Sequence, residues 1–196
     1  MTVSKIDTWI QAGYKLLATE GTDGIKIERL AKNLTLNKSG FYHYFGTMES
    51  YVKNLLQYHI RIAKGIAAEI SSCQNIDPDL LLLIVKHKAF FLVESQLLVK
   101  GRPAHVDDQV DEAGKIVNEE LLPLWRKTDE LPEDDSVALA YLNIIRHFFY
   151  GQVDAEHINY EFLHKLTVDT KGVMNKVIMD RHVSSHYMRS VTPSHP

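Results

Sequence analysis

Residues 26–45 read KIERLAKNLTLNKSGFYHYF, and the order of apolar and polar positions in this stretch decides the fold class. Ile27, Leu30 and Ala31 fall at i, i+3 and i+4, which gives a short helix one apolar face. Leu34-Thr35-Leu36 then breaks the charged pattern. Asn37 is placed as an N-cap, whose side-chain oxygen can accept a free backbone N–H of the next turn. A second short helix starts there. Phe41 and Phe45, four residues apart, are its inward anchors, and Lys38, Ser39, Gly40, Tyr42, His43 and Tyr44 lie on or beside the other face. In a helix-turn-helix of this layout the second helix enters the DNA major groove and the first crosses the backbone.

The second helix has the chemistry for that task. Ser39 and Gly40 are small and let backbone approach base edges. Lys38, near the helix N-terminus, can pair with a phosphate and adds to the positive end of the helix dipole. Tyr42 and His43 carry hydrogen-bond donors on flat bodies that reach phosphate oxygens. The same pattern also describes a helix pair in any α-helical protein with the aromatic residues as core, so the flanking sequence matters.

The chain has 196 residues, enough for one or two domains, and its hydrophobic content of 45% supports a buried core. Its formal net charge is only -3. Residues 1–64 carry nine Lys/Arg against five Asp/Glu, a net of +4, and the remainder carries 13 against 20. A basic first third on an acidic remainder fits a DNA-facing end. With Cys73 as its one cysteine the chain forms no internal disulfide, which fits a reducing cytoplasm, and Cys73 reads as a small buried or half-buried residue late in a helix rather than a redox sensor. The N-terminus lacks an apolar signal core. No run of ~18 apolar residues marks a membrane-spanning helix.

Outward from the central stretch, residues 4–20 read as a helix capped by Ser4, with Ile6, Trp9, Ile10, Gly13, Tyr14 and Leu17 at helical spacing and Gly21 as its stop. Thr22-Asp23-Gly24 is a turn. After Phe45, Thr47 with Ser50 opens a long helix from about 48 to 71, with Val52, Leu55, Leu56, His59, Ile62, Ile66 and Ile70 in register.

At this point the chain resembles the TetR family of bacterial transcription regulators. The resemblance rests on Glu20-Gly21, Leu30-Ala31 and Leu36-Asn37-Lys38-Ser39-Gly40-Phe41-Tyr42-His43-Tyr44-Phe45, followed by a long helix, and covers about residues 4–60. The family's pattern reads roughly V-S-K-G-T-L-Y-x-H-F. The resemblance implies an all-α protein: a three-helix head over residues 1–47, with a connecting helix running on to about 64, a ligand-binding and dimerisation body over 48–180, and a polar tail over 181–196. It implies that Lys38, Tyr42 and His43 hold phosphates or base edges and that Ser39 and Gly40 lie nearest the bases. Lys26, Ile27 and Glu28 open the second helix, where the family places Thr-Thr/Val-Arg. Here the sequence departs. Lys26 replaces a threonine cap, and Glu28 stands where a base-reading Arg occurs. Glu28 can accept from cytosine N4 or serve as a solvated helix-start acid, and we favour the second. Tyr44 replaces a His, and Met48 replaces a phosphate-binding Lys. Thr47 can still donate to that phosphate.

Past residue 72 the resemblance fades. Asp77 as N-cap and Pro78 at the first helical position open a helix that runs to about Val99. Gly101-Arg102-Pro103 breaks it. Val106, Val110, Ala113, Val117 and Leu121 form a stripe that ends near Pro123. A helix over Val137–Tyr150 follows an acidic start and ends at Gly151. Asp154 caps a last helix with Ile158, Phe162, Leu166, Val173 and Val177 on one stripe, which is either dimer interface or internal core.

The pocket expected from the resemblance has His87, Phe91, Trp125 and His147 as candidate lining residues, with Phe90, Glu94, Tyr141, Phe148 and Tyr150 nearby in the pattern. The plain alternative is that these residues fill the core. No Gly-rich phosphate loop, HExxH or GxSxG occurs, so no catalytic residue, cofactor or metal site is expected. His182, His186 and His195 have partial metal spacing and read as a solvated tail. Two readings therefore stand. One is a cytoplasmic, ligand-responsive DNA-binding repressor, a homodimer on double-stranded palindromic DNA with an unknown small-molecule effector and no membrane partner. The other is an all-helical ligand-binding or interaction protein whose head no longer reads DNA.

Overall fold

The structure is a computed structural model, and it describes residues 4–101, 107–128, 134–170 and 172. Every regular element among them is helical. α1 (Lys5–Glu20) starts at Ser4, whose hydroxyl oxygen accepts the Asp7 N–H, and stops at Gly21, where φ is 71°. α2 (Ile27–Leu34) follows a tight turn at Thr22–Gly24, and α3 (Lys38–Phe45) follows Thr35, a non-glycine residue in the left-handed region. α4 (Met48–Ile70) is capped by Thr47, which accepts the Ser50 N–H. These boundaries agree with the spacing-based ones. Asn37 does not: it sits at the cap position of α3, but its side chain makes no capping bond.

An aromatic cluster locks α1, α3 and α4 together. Phe41 meets Trp9, Phe45 and Tyr51 with ring centroids 5.5, 5.2 and 5.0 Å away, and all four rings are buried. Such edge and offset contacts add about 0.5–1.5 kcal/mol per pair beyond area burial. The Tyr51 hydroxyl donates to the Trp9 carbonyl at 2.7 Å. It lies where a Cβ at residue 13 would be, so Gly13 is what lets α4 close on α1.

The body departs from its expected boundaries in four places. The expected helix up to Val99 is broken at His87 (φ -101°, ψ 28°) into α5 (Leu81–Lys86) and α6 (Lys88–Ser95), with a wide helical turn over Gln96–Lys100. The break aims the His87 Nε2 at Glu69 Oε1, 2.9 Å away, and Lys86 reaches the other oxygen of the same carboxylate. α7 (Asp107–Thr128) does not end near Pro123 but runs through it. One lost backbone bond is outweighed there by packing, since Leu124 directly after it is buried. α8 (Asp135–Gln152) runs past Gly151. Asp154 holds a turn by accepting from Glu156 and His157, and the last helix, α9 (residues 160–170), is opened instead by Asn159, whose side chain accepts the Phe162 N–H.

The chain divides into two compact units, Met1–Ile158 and Asn159–Pro196. Within the first, α7 packs along α4, α1 packs on α6, and α8 packs on both α6 and α7. In the expected stripe of the last helix, Ile158 is buried ahead of the helix and Phe162 and Leu166 are half-buried. Arg102, Pro103, Val106, Val173, Val177 and the tail from 181 lie outside the described residues.

Candidate nucleic-acid interface

α2 and α3 present an exposed polar surface on a buried apolar floor. Leu30, Ala31, Phe41 and Phe45 form the floor. With Phe41 and Phe45 fixed one turn apart, helical geometry turns Lys38, Ser39, Tyr42 and His43 outward, and all four are exposed. Tyr42 keeps half of its surface in solvent although its ring edge meets Phe41. Gly40 faces open space: a Cβ there would touch nothing in the protein. The missing side chain is therefore not explained by packing within the chain.

The cations around this surface are not all at liberty. Lys38 Nζ lies 2.7 Å from Glu28 Oε1, bridging the first turns of α2 and α3. The Lys38 bond holds the Glu28 carboxyl below its ordinary range. Arg29 forms a two-pronged pair with Glu20 at the end of α1, with one contact at 2.7 Å, and it lowers the Glu20 carboxyl likewise. Both pairs are exposed, so each adds little stability, but each orients a basic side chain. Lys26 is exposed at the cap of α2 and makes no side-chain capping bond, Ile27 is half-buried, and Thr47 is exposed with its hydroxyl hydrogen still available to donate.

Residues 10–53 match the family described as bacterial regulatory proteins, tetR family. Over those residues the head matches the TetR family. The two helices at the centre of the matched stretch, α2 and α3, form its helix-turn-helix. A TetR-family transcriptional regulator from Bordetella parapertussis 12822 is 16% identical and aligns over 85% of this chain and 94% of its own with a TM-score of 0.55. At that identity the likeness shows the fold. The TetR-family regulator PfmR from Thermus thermophilus is also 16% identical, over 77% of this chain and 95% of its own, with a TM-score of 0.47. No curated protein matches the chain.

Behind the TetR-family head, the structure assembles a buried polar chain that spacing alone does not reveal. The Tyr14 hydroxyl on α1 lies 2.7 Å from His59 Nδ1 on α4, and His59 Nε2 lies 2.8 Å from Glu94 Oε1 on α6. In the tautomer whose Nε2–H donates to the Glu94 carboxylate, Nδ1 accepts the Tyr14 hydroxyl proton. His59 also stacks on Phe90, with centroids 4.4 Å apart. Burial, then Glu94, pushes the phenols of Tyr14 and Tyr150 well above their ordinary range. In the sequence the three read separately, Tyr14 and His59 as members of two helical stripes and Glu94 beside the candidate pocket residues.

Each of the four candidate pocket residues has its own surroundings in the structure. His87 pairs with Glu69, Phe91 is buried beside Phe149, Trp125 is half-buried on α7, and His147 is exposed on α8 with Nδ1 2.8 Å from the Asn143 carbonyl. Among the described residues no cluster of three His, Cys, Asp or Glu could hold a metal ion, and His182, His186 and His195 lie outside them.

Proposed function

We propose that this chain is a cytoplasmic transcriptional repressor that binds a palindromic operator as a homodimer and releases it when a small effector occupies the helical body. The observation that carries the proposal is the TetR-family head with Ser39, Gly40, Tyr42 and His43 presented outward from a locked aromatic floor. In this reading Ser39 and Gly40 approach base edges, and Lys26, Ile27, Lys38, Tyr42, His43 and Thr47 hold backbone phosphates and sugars. The head ends at residue 47 and the body spans 48–180.

A dimer is supported by α8. Val137, Ile144 and Phe148 are at least half exposed and fall at i, i+7 and i+11, so they line one face. Such a face is matched by a second copy of itself across a two-fold axis, and two-fold pairing presents two recognition helices to two half-sites. An effector then acts only by binding one spacing of those helices better than the other. No helix among the described residues is long and apolar enough to cross a membrane.

A second reading is an all-helical binding protein whose head has lost DNA recognition. The Glu28–Lys38 pair favours it, because it neutralises the cation at the start of α3. Fluorescence anisotropy of the purified chain on its own upstream DNA, against a scrambled fragment and at two salt concentrations, separates the two. Tight, salt-sensitive binding to the upstream fragment, weakened by Tyr42→Ala, supports the regulator. Equal weak binding to both fragments, unchanged by Tyr42→Ala, supports the second reading.

A further inference from the structure

We propose that the seam between α7 and α8 holds an anion site centred on Arg146, which takes a small organic carboxylate bearing a hydrogen-bond donor near its carboxyl group. The inference rests on the effector-responsive reading and names the chemistry of the effector. Arg146 is half-buried on α8, yet its guanidinium makes no hydrogen bond or ion pair among the described residues, and its Nε is buried without a partner. The guanidinium lies where a Cβ at residue 114 would be, so Gly114 gives it a flat seat against the α7 backbone. The buried, unpartnered Nε–H leaves a donor for an incoming acceptor. A carboxylate answers Nε–H and a terminal N–H with two parallel bonds.

The neighbouring turn supplies a second handle. Asn118 is four residues beyond Gly114 on α7, and Asn143 is three residues before Arg146 on α8, so the two pairs are stacked one turn apart, about 5–6 Å between neighbouring Cβ atoms. Asn118 Nδ2 donates to Asn143 Oδ1 at 3.1 Å, while Asn118 Oδ1 is buried and accepts nothing. That oxygen calls for a hydroxyl or amine hydrogen on the ligand, close to the carboxylate. One turn the other way, Tyr150 lies within the influence of both charges: Glu94 raises its phenol and Arg146 lowers it. A monocarboxylate matches the single guanidinium charge with two parallel bonds, and phosphate serves as the comparison. Glu94 is also the end of the Tyr14–His59–Glu94 chain, so neutralising Arg146 changes the field on the groups that join the body to α1.

The test is calorimetry and thermal melting of the full chain with straight-chain monocarboxylates of increasing length, each with and without a hydroxyl at C2 or C3, and with inorganic phosphate. Saturable binding of hydroxylated members is expected, at least tenfold tighter than of their deoxy analogues and of phosphate. Arg146→Gln is expected to weaken it at least tenfold while its circular dichroism and its affinity for the upstream DNA fragment stay unchanged. Gly114→Ala, which displaces the guanidinium, is expected to weaken it several-fold. Binding that is equally strong in Arg146→Gln, or no saturable binding by any carboxylate, overturns the site. A carboxylate that binds through Arg146 but leaves DNA affinity unchanged overturns the effector reading instead and leaves the site standing.

Discussion

At the scale of single residues, charge pairing sets how much of the head's basic character is available to DNA. Glu28 holds Lys38 at 2.7 Å, in competition with any phosphate. Glu28→Gln is expected to raise affinity for the operator fragment and to steepen the fall of log K with log salt by about 0.9 per subunit, one released counterion each. A salt titration of both proteins reads this directly, and an unchanged slope shows that Lys38 never engages a phosphate. Asp154 offers a pH test. Its carboxyl is held at about 2, below the ordinary 3.8, by hydrogen bonds from the His157 side chain and backbone. A folded pKa below the unfolded one means the contribution is complete above the unfolded value and disappears as pH falls through the folded one. Asp154→Asn is therefore expected to flatten the loss of thermal stability between about pH 4 and pH 2. Neither pair is legible in the sequence: Glu28 and Lys38 read as two separate surface charges, because nothing in the spacing says that the turn at Thr35 folds their helix starts together.

At the scale of elements, periodicity locates the helices whose burial is one-sided and fails where backbone geometry is decided by distant partners. The ends of α1 and α4 follow from Ser4, Gly21 and Thr47, since caps act within a turn of themselves. The break at His87 depends on Glu69, eighteen residues away, and the run through Pro123 depends on packing around Leu124. Asp154 reads as a helix cap because Asp is good at that task, yet its bonds close a turn that ends before Asn159 takes the role. Aromatic and histidine residues can be counted along each helix, but which of them face one another is a property of the packed body. On α3, Gly40 is expected to separate folding from recognition. Gly40→Ala meets no protein atom and removes a flexible residue from a helix, so it is expected to raise stability by about 0.5–1 kcal/mol. Its methyl would stand at the surface that approaches DNA, so operator affinity is expected to fall. Denaturant melts and anisotropy on the same variant check both halves. A gain in stability with full affinity removes Gly40 from the interface.

At the scale of the whole molecule, the proposed regulation needs two copies. The exposed apolar face of α8 is the surface that joins them in the proposed assembly, with Ile144 the most exposed of its large residues at 69%. Ile144→Glu places like charges opposite each other across a two-fold axis. It is expected to shift the protein from dimer to monomer by sedimentation velocity, with circular dichroism unchanged, and to weaken operator binding at least tenfold. A stable dimer in this variant moves the interface off α8.

The buried contact of Tyr14 with His59 and Glu94 has a practical corollary for protein engineering. Regulators of this layout invite chimaeras, with the reading head of one grafted onto the sensing body of another. Here the cut cannot be made at residue 47 without consequence. A transplanted head brings its own residue to position 14, and a body that keeps His59 and Glu94 then buries an acceptor without its phenol. A graft carrying a phenylalanine at position 14 is expected to melt at a lower temperature than one carrying tyrosine, by a margin matching about 1–3 kcal/mol for an orphaned buried acceptor. Compatibility between heads and bodies in this protein thus depends on the Tyr14 hydroxyl group as well as on the packing around Tyr51, and a library of interchangeable parts built from it must carry position 14 with the body rather than with the head.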